Sequence, residues 1–161
     1  MCKEDKIKEL EEKIKALQEE VQELKDSKDS KVWKPSNGEE YWFVDGGVGS
    51  FDFADDSEYD KTQHLIGNCY KTREEAEQAL EIKKIDTELR RYALEHNQGE
   101  IDWEDFKQQK YSIYYDYEDK KFNVSWDRCT RDKNIYFTSE EIAKQAIETI
   151  GRERVEMWAK A

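Results

Sequence analysis

Between residues 7 and 24 the apolar side chains fall at Ile7, Leu10, Ile14, Leu17, Val21 and Leu24, so the spacing alternates between three and four residues. A stripe this narrow suits a helix that meets another helix along one seam, whereas a helix lying on a globular core shows a wider apolar face. Every a position is β-branched and every d position is Leu, the combination that favours two parallel strands. With Ile7 as a, Lys6 faces Glu11 of a partner helix and Glu20 faces Lys25, and Glu4–Lys8 and Glu9–Lys13 support each helix at i,i+4. The spacing predicts a parallel homodimeric coiled coil over residues 1–30, with a trimer as the alternative. Three heptads are marginal alone, so the rest of the chain is expected to contribute to the pairing.

The composition changes sharply after this helix. All five Trp, nine Tyr and six Phe lie beyond residue 31, while the first thirty residues contain no aromatic. Each buried aromatic removes roughly 150–250 Å² from water, so the second part can build a core although 41% of the chain is charged, against about 25% in ordinary domains. Residues 31–38, with Pro35 and Gly38, read as a linker, and residues 39–161 as a small α+β domain.

Within that domain two stretches follow a common plan. Asn68-Cys-Tyr-Lys-Thr72 and Asn134-Ile-Tyr-Phe-Thr138 share Asn-x-Tyr-x-Thr, and each leads into two glutamates and a Gln-Ala-(Leu/Ile)-Glu run. Thr72 with Glu75, and Thr138 with Glu141, read as capping boxes. Helices are predicted over 73–96 and 139–150, with a short last helix over 152–161 docking Val155 and Trp158. Alternating aromatic and β-branched residues predict strands at Tyr41–Asp45, Tyr111–Asp116 and Lys121–Trp126. The expected architecture is two ββα-like units, 39–98 and 99–161, sharing one antiparallel sheet with both helices on one face.

Charge narrows the function. The net charge is −12, and residues 1–30 carry seven bases and ten acids, so the part beyond residue 30 holds −9 of it. Direct nucleic-acid binding needs clustered Lys and Arg and is not expected. Residues 41–60 contain six acids and no base. The run Asp52, Asp55, Asp56, Glu58 and Asp60 lacks the spacing and mid-loop Gly of a calcium loop, so it reads as a surface loop that docks on a basic partner or repels acidic ones. Gly46-Gly-Val-Gly-Ser50 leads into no helix and has no following Lys, so it reads as a hairpin turn and not a phosphate loop. Tyr114 and Tyr117, rimmed by acids, are candidate partner-binding residues.

Catalysis is not expected. His64 reads as part of a polar loop and His96 as a helix end. Neither stands beside a Cys, Ser or Asp in a nucleophilic arrangement, and Asp102 and Asp105 read as caps of a turn. Cys2, Cys69 and Cys129 are widely spaced, which points to a reducing compartment without disulfides. No apolar run approaches a membrane span, and no cofactor or metal is implied.

The segments Gly67-Asn-Cys-Tyr-Lys-Thr-Arg-Glu-Glu-Ala-Glu77 and Tyr136-Phe-Thr-Ser-Glu-Glu-Ile-Ala-Lys-Gln-Ala-Ile-Glu-Thr-Ile-Gly151, with Trp33-Lys-Pro-x-x-Gly-Glu39 upstream, resemble small proteins encoded by phages and prophages of Gram-positive bacteria. The resemblance covers residues 32–151 and carries no catalytic residues. It implies a phage accessory protein acting in the cytoplasm of the infected host. An acidic protein of this kind is expected to inhibit a basic host defence protein, such as a CRISPR or restriction nuclease. Two other readings stand beside it. One is an oligomeric sponge for a nucleotide signal, with Arg73, Arg90, Arg91, Arg128 and Arg131 as anchors. The other is a virion or assembly adaptor.

Overall fold

The computed structural model describes residues 6, 7, 9, 10, 12–15, 17, 18, 21, 32–129 and 134–161, and it is a mixed α+β structure. The described residues before 22 are helical. After them come β1 (Glu40–Asp45), β2 (Val48–Phe53), α1 (Glu58–Leu65), α2 (Arg73–His96), β3 (Lys110–Asp116), β4 (Lys121–Asp127), β5 (Tyr136–Phe137), α3 (Glu140–Ile150) and α4 (Arg152–Lys160). The chain divides into two compact units, residues 1–43 with 51–72, and residues 44–50 with 73–161.

Between β1 and β2, Gly46 and Gly47 both take positive φ, the left-handed pair of a two-residue type I′ hairpin turn. β1 alternates cleanly. Tyr41 and Phe43 are buried with Ala54, and Trp33 and Cys69 pack against them. Pro35 is buried, and the expected linker joins this cluster through Trp33. On the other side of β1, Trp42 and Tyr70 exchange backbone hydrogen bonds of 2.9 and 2.8 Å.

The expected loop at 52–60 is instead a helix from Glu58 onward. Ser57 caps it by accepting the Asp60 backbone N–H, and His64 stands in its last turn. Asp60 is turned inward at 8% exposure.

In the second unit β3 sits centrally, antiparallel to β4 on one side and to β5 on the other. Ile113 and Phe137 are buried, and Tyr111, Phe122 and Val124 pack with them against Ile85, Leu89 and Ala93 of α2, Ile142, Ala146, Ile147 and Ile150 of α3, and Val155 of α4. This is the main core. The apolar faces of the three helices supply it; on α2 Ile85 takes an interior position, while Ala79 and Leu80 are half-buried. Trp158 packs at its margin. Arg154 of α4 donates to Glu81 and Glu88 of α2 at 2.7–2.9 Å, and both carboxylates hold its guanidinium well above its ordinary pKa.

Two expectations change here. The strands form two separate sheets, because alternation marks a strand without saying which strand it pairs with. The cap of α3 is Ser139, whose Oγ accepts the Ile142 N–H at 3.2 Å. Thr138 is used elsewhere: its Oγ1 accepts the Gln98 N–H at 2.9 Å, while its own N–H donates to Asn97 Oδ1 at 3.0 Å. Asn97 Nδ2 also donates to the Tyr136 carbonyl, so the residues just after α2 staple β5 and the entry to α3.

Candidate interaction surfaces

Ile7, Leu10, Ile14, Leu17 and Val21 stand 48–59% exposed on the N-terminal helical residues. Leu24 lies outside the described residues. An apolar row left half in water on one helix face is available for a partner.

The acidic segment has an internal framework. Asp60 accepts the Tyr41 hydroxyl at 2.7 Å and the Asp55 N–H at 2.7 Å. Burial alone would raise its pKa, but these hydrogen bonds to the charged form prevail and hold it below the usual carboxylate value. Burial first, and then the Asp60 bond and charge, push the Tyr41 hydroxyl well above its ordinary value. Asp60 is therefore committed inside, whereas Asp52, Asp55, Asp56 and Glu58 are exposed. Asp56 has Lys34 at 4.0 Å, and Glu58 has Lys61 one helical turn on.

Beside these acids lies a feature that periodicity alone does not reveal. Trp42 points away from the Tyr41–Phe43 face, its ring 5.4 Å from Phe51, and Phe51 meets Phe53 edge-on at 6.3 Å. Phe51 and Phe53 are 54% and 55% exposed. The alternation Phe51-x-Phe53 mirrors Tyr41-x-Phe43, and the strands alone do not say which pair faces water.

In the second unit Tyr114 is 40% exposed, opposite Asn123 on β4, and Tyr117 is 72% exposed. The Tyr117 ring packs edge-on against Tyr115 at 4.8 Å, and Lys160 lies over Tyr115, also at 4.8 Å. Tyr114 thus faces solvent, and Tyr117 borders the contact that holds the end of α4. Lys110, an unremarked lysine in the sequence, is fully buried. Its ammonium donates to the carbonyls of Asp105, Gln108 and Arg128 at 3.0–3.3 Å and lies 5.4 Å from the centre of the Trp103 ring.

An open groove of about 780 Å³ runs beside Trp103 and Tyr136, bordered by Leu94, Ile101, Arg90 and Asn97. Its polar lining is largely engaged internally. Arg90 is bound to Asp86 and Asn97 to the β5 backbone, so the walls offer mainly apolar surface. Of the other proposed anchors, Arg73 pairs with Glu77 and Arg128 lies over Trp126, while Arg131 is outside the described residues.

Among the described residues no hydrogen bond joins Cys69 to His64, whose Nε2 is buried without a partner. Burial first, and then the charge of Asp60, push the Cys69 thiol up, the wrong direction for a reactive thiolate. The Asp102 carboxylate closes a turn by accepting the Glu104 and Asp105 N–H groups. Among the described residues no group of His, Cys, Asp or Glu is placed to hold a metal ion, and no helix is long and apolar enough to cross a membrane. No family model matches the chain, and no curated protein or solved structure matches it.

Proposed function

We propose that this chain is a phage-encoded, non-enzymatic binding protein that works as a pair. The Ile7–Leu24 seams of two copies zip into a parallel coiled coil, and the two acidic heads bind and inhibit a basic host defence protein, such as a CRISPR or restriction nuclease. The phage setting rests on the resemblance of residues 32–151. The pairing is supported by the half-exposed row from Ile7 to Val21. The observation that carries the binding role is the exposed group Asp52, Asp55, Asp56 and Glu58, fixed against a folded framework through the Tyr41–Asp60 bond. Acids held in place steer a basic partner at long range and make capture sensitive to salt.

The folded part is further proposed to be two copies of one ββα-like plan. Each Asn-x-Tyr-x-Thr stretch places its Tyr antiparallel to the first strand of the hairpin before it, Tyr70 opposite Trp42 and Tyr136 opposite Ser112. Each then enters a helix, α2 at Arg73 and α3 at Glu140. The first copy carries α1 as an insertion.

The test is affinity capture from host lysate with the full chain at low and high salt. Basic proteins retained at low salt and released at high salt are expected. Recovery of only acidic or salt-indifferent partners contradicts the proposal.

A further inference from the structure

We infer that the exposed Phe51–Phe53 strip of the β1–β2 hairpin is the surface on which a Lys/Arg-rich polypeptide segment docks. The inference rests on the reading of the chain as a binder of a basic protein, and it assigns the face and the chemistry of recognition.

The solvent side of a two-stranded hairpin ordinarily carries polar residues, because only its other side has a core to fill. Here the core side is already occupied by Tyr41 and Phe43; on the other side Gly49, near the turn, faces Ala76 and Glu77, and beyond it Phe51 and Phe53 stand exposed with Trp42 half-buried beside them. Phe51 and Phe53 contribute nothing to that core and keep more than half their surface in water. The strip is held in place, because the Trp42 backbone is bonded on its far side to Tyr70.

The charge around the strip selects the occupant. Glu40 and Asp52 are exposed on the same two strands, and Asp55, Asp56 and Glu58 follow directly. A second copy docking here would bring like charges together, and an anionic ligand would be repelled. A cationic segment gains from both features, since the face of an aromatic ring attracts Lys or Arg and the acids add a longer-range pull. The chain itself uses this contact repeatedly: Lys71 lies over Trp33, Lys110 over Trp103, Arg128 over Trp126, Arg152 over Phe122 and Lys160 over Tyr115, at 4.8–5.7 Å. Among the described residues no such cation lies over Phe51 or Phe53. Those two ring faces stay open on the one stretch of chain, residues 41–60, that has no base of its own.

The test titrates the full chain with a twelve-residue peptide of alternating Lys/Arg and Gly/Ser, with an uncharged Gly/Ser peptide as control, following the Trp42 indole signal by NMR. Binding of the basic peptide alone is expected. Phe51→Ala/Phe53→Ala should weaken it roughly five- to thirtyfold, the loss expected for two exposed cation–ring contacts. Phe51→Leu/Phe53→Leu, which keeps apolar bulk without the ring faces, should weaken it to a similar degree. Circular dichroism and the melting temperature should stay unchanged in both variants, since the two side chains lie outside the core. Unaltered affinity in the Ala variant overturns the assignment of the face and leaves the acidic binding role standing. Unaltered affinity in the Leu variant overturns recognition through the rings. No binding of the basic peptide by the unmodified chain overturns both the face and the acidic binding role.

Discussion

At the scale of single residues, two buried polar groups decide more than their sequence context suggests. Asp60 belongs to a run of acids, and acids are usually solvated. Its position three residues after Ser57 is a helix-start signal that distinguishes it from its neighbours. Because its folded pKa is lowered, its contribution to stability is fully present above the unfolded value of about 3.9 and is lost as pH falls through the lower folded value. Urea midpoints measured from pH 7 down to pH 2 should therefore show an acid-labile share that shrinks in Asp60→Asn. Tyr41→Phe removes one donor from a buried carboxylate and should cost about 1.5–3 kcal/mol at neutral pH, read by the same unfolding curves. The raised Tyr41 pKa runs the other way, contributing below about pH 10 and lost as pH rises. In an ultraviolet titration Tyr41 should ionise after the exposed tyrosines. Lys110 gave no signal in the sequence, since lysines default to the surface. Its ammonium ties three carbonyls together, so Lys110→Met leaves them without that donor and should destabilise by about 2 kcal/mol or more in urea unfolding.

At the scale of elements, what could be read depended on local signals. The bounds of α2 and the end of α3 follow from amphipathic period and from glycine or polar stops. The sequence predicts the start of α3 one residue early, because Thr138 and Ser139 are both good caps and only the fold shows which is free to serve. Thr138 is taken by Gln98 and Asn97, which are distant in sequence and invisible to a capping rule. Ser139→Ala should cost about 1 kcal/mol, and Thr138→Ala should also destabilise, although it caps no helix. Paired thermal melts of the two variants check this. The hairpin strip was hidden for a related reason. Tyr41-x-Phe43 and Phe51-x-Phe53 have the same period, and only the packing partners assign one pair to the core and the other to water.

At the scale of the whole molecule, the account depends on contacts that one chain cannot make with itself. The heptad spacing is the sequence feature behind the proposed pairing, and the −9 charge of the remaining chain is the one behind the proposed basic partner. The proposed pairing would double the number of acidic-aromatic faces in one particle and so raise avidity for a partner whose sites both heads can reach. Sedimentation equilibrium of the full chain at micromolar concentration, beside the variant Leu10→Lys/Leu17→Lys, measures that pairing directly. A species of twice the chain mass that becomes a folded monomer in the variant is the expected result. A monomer for the unmodified chain contradicts the account.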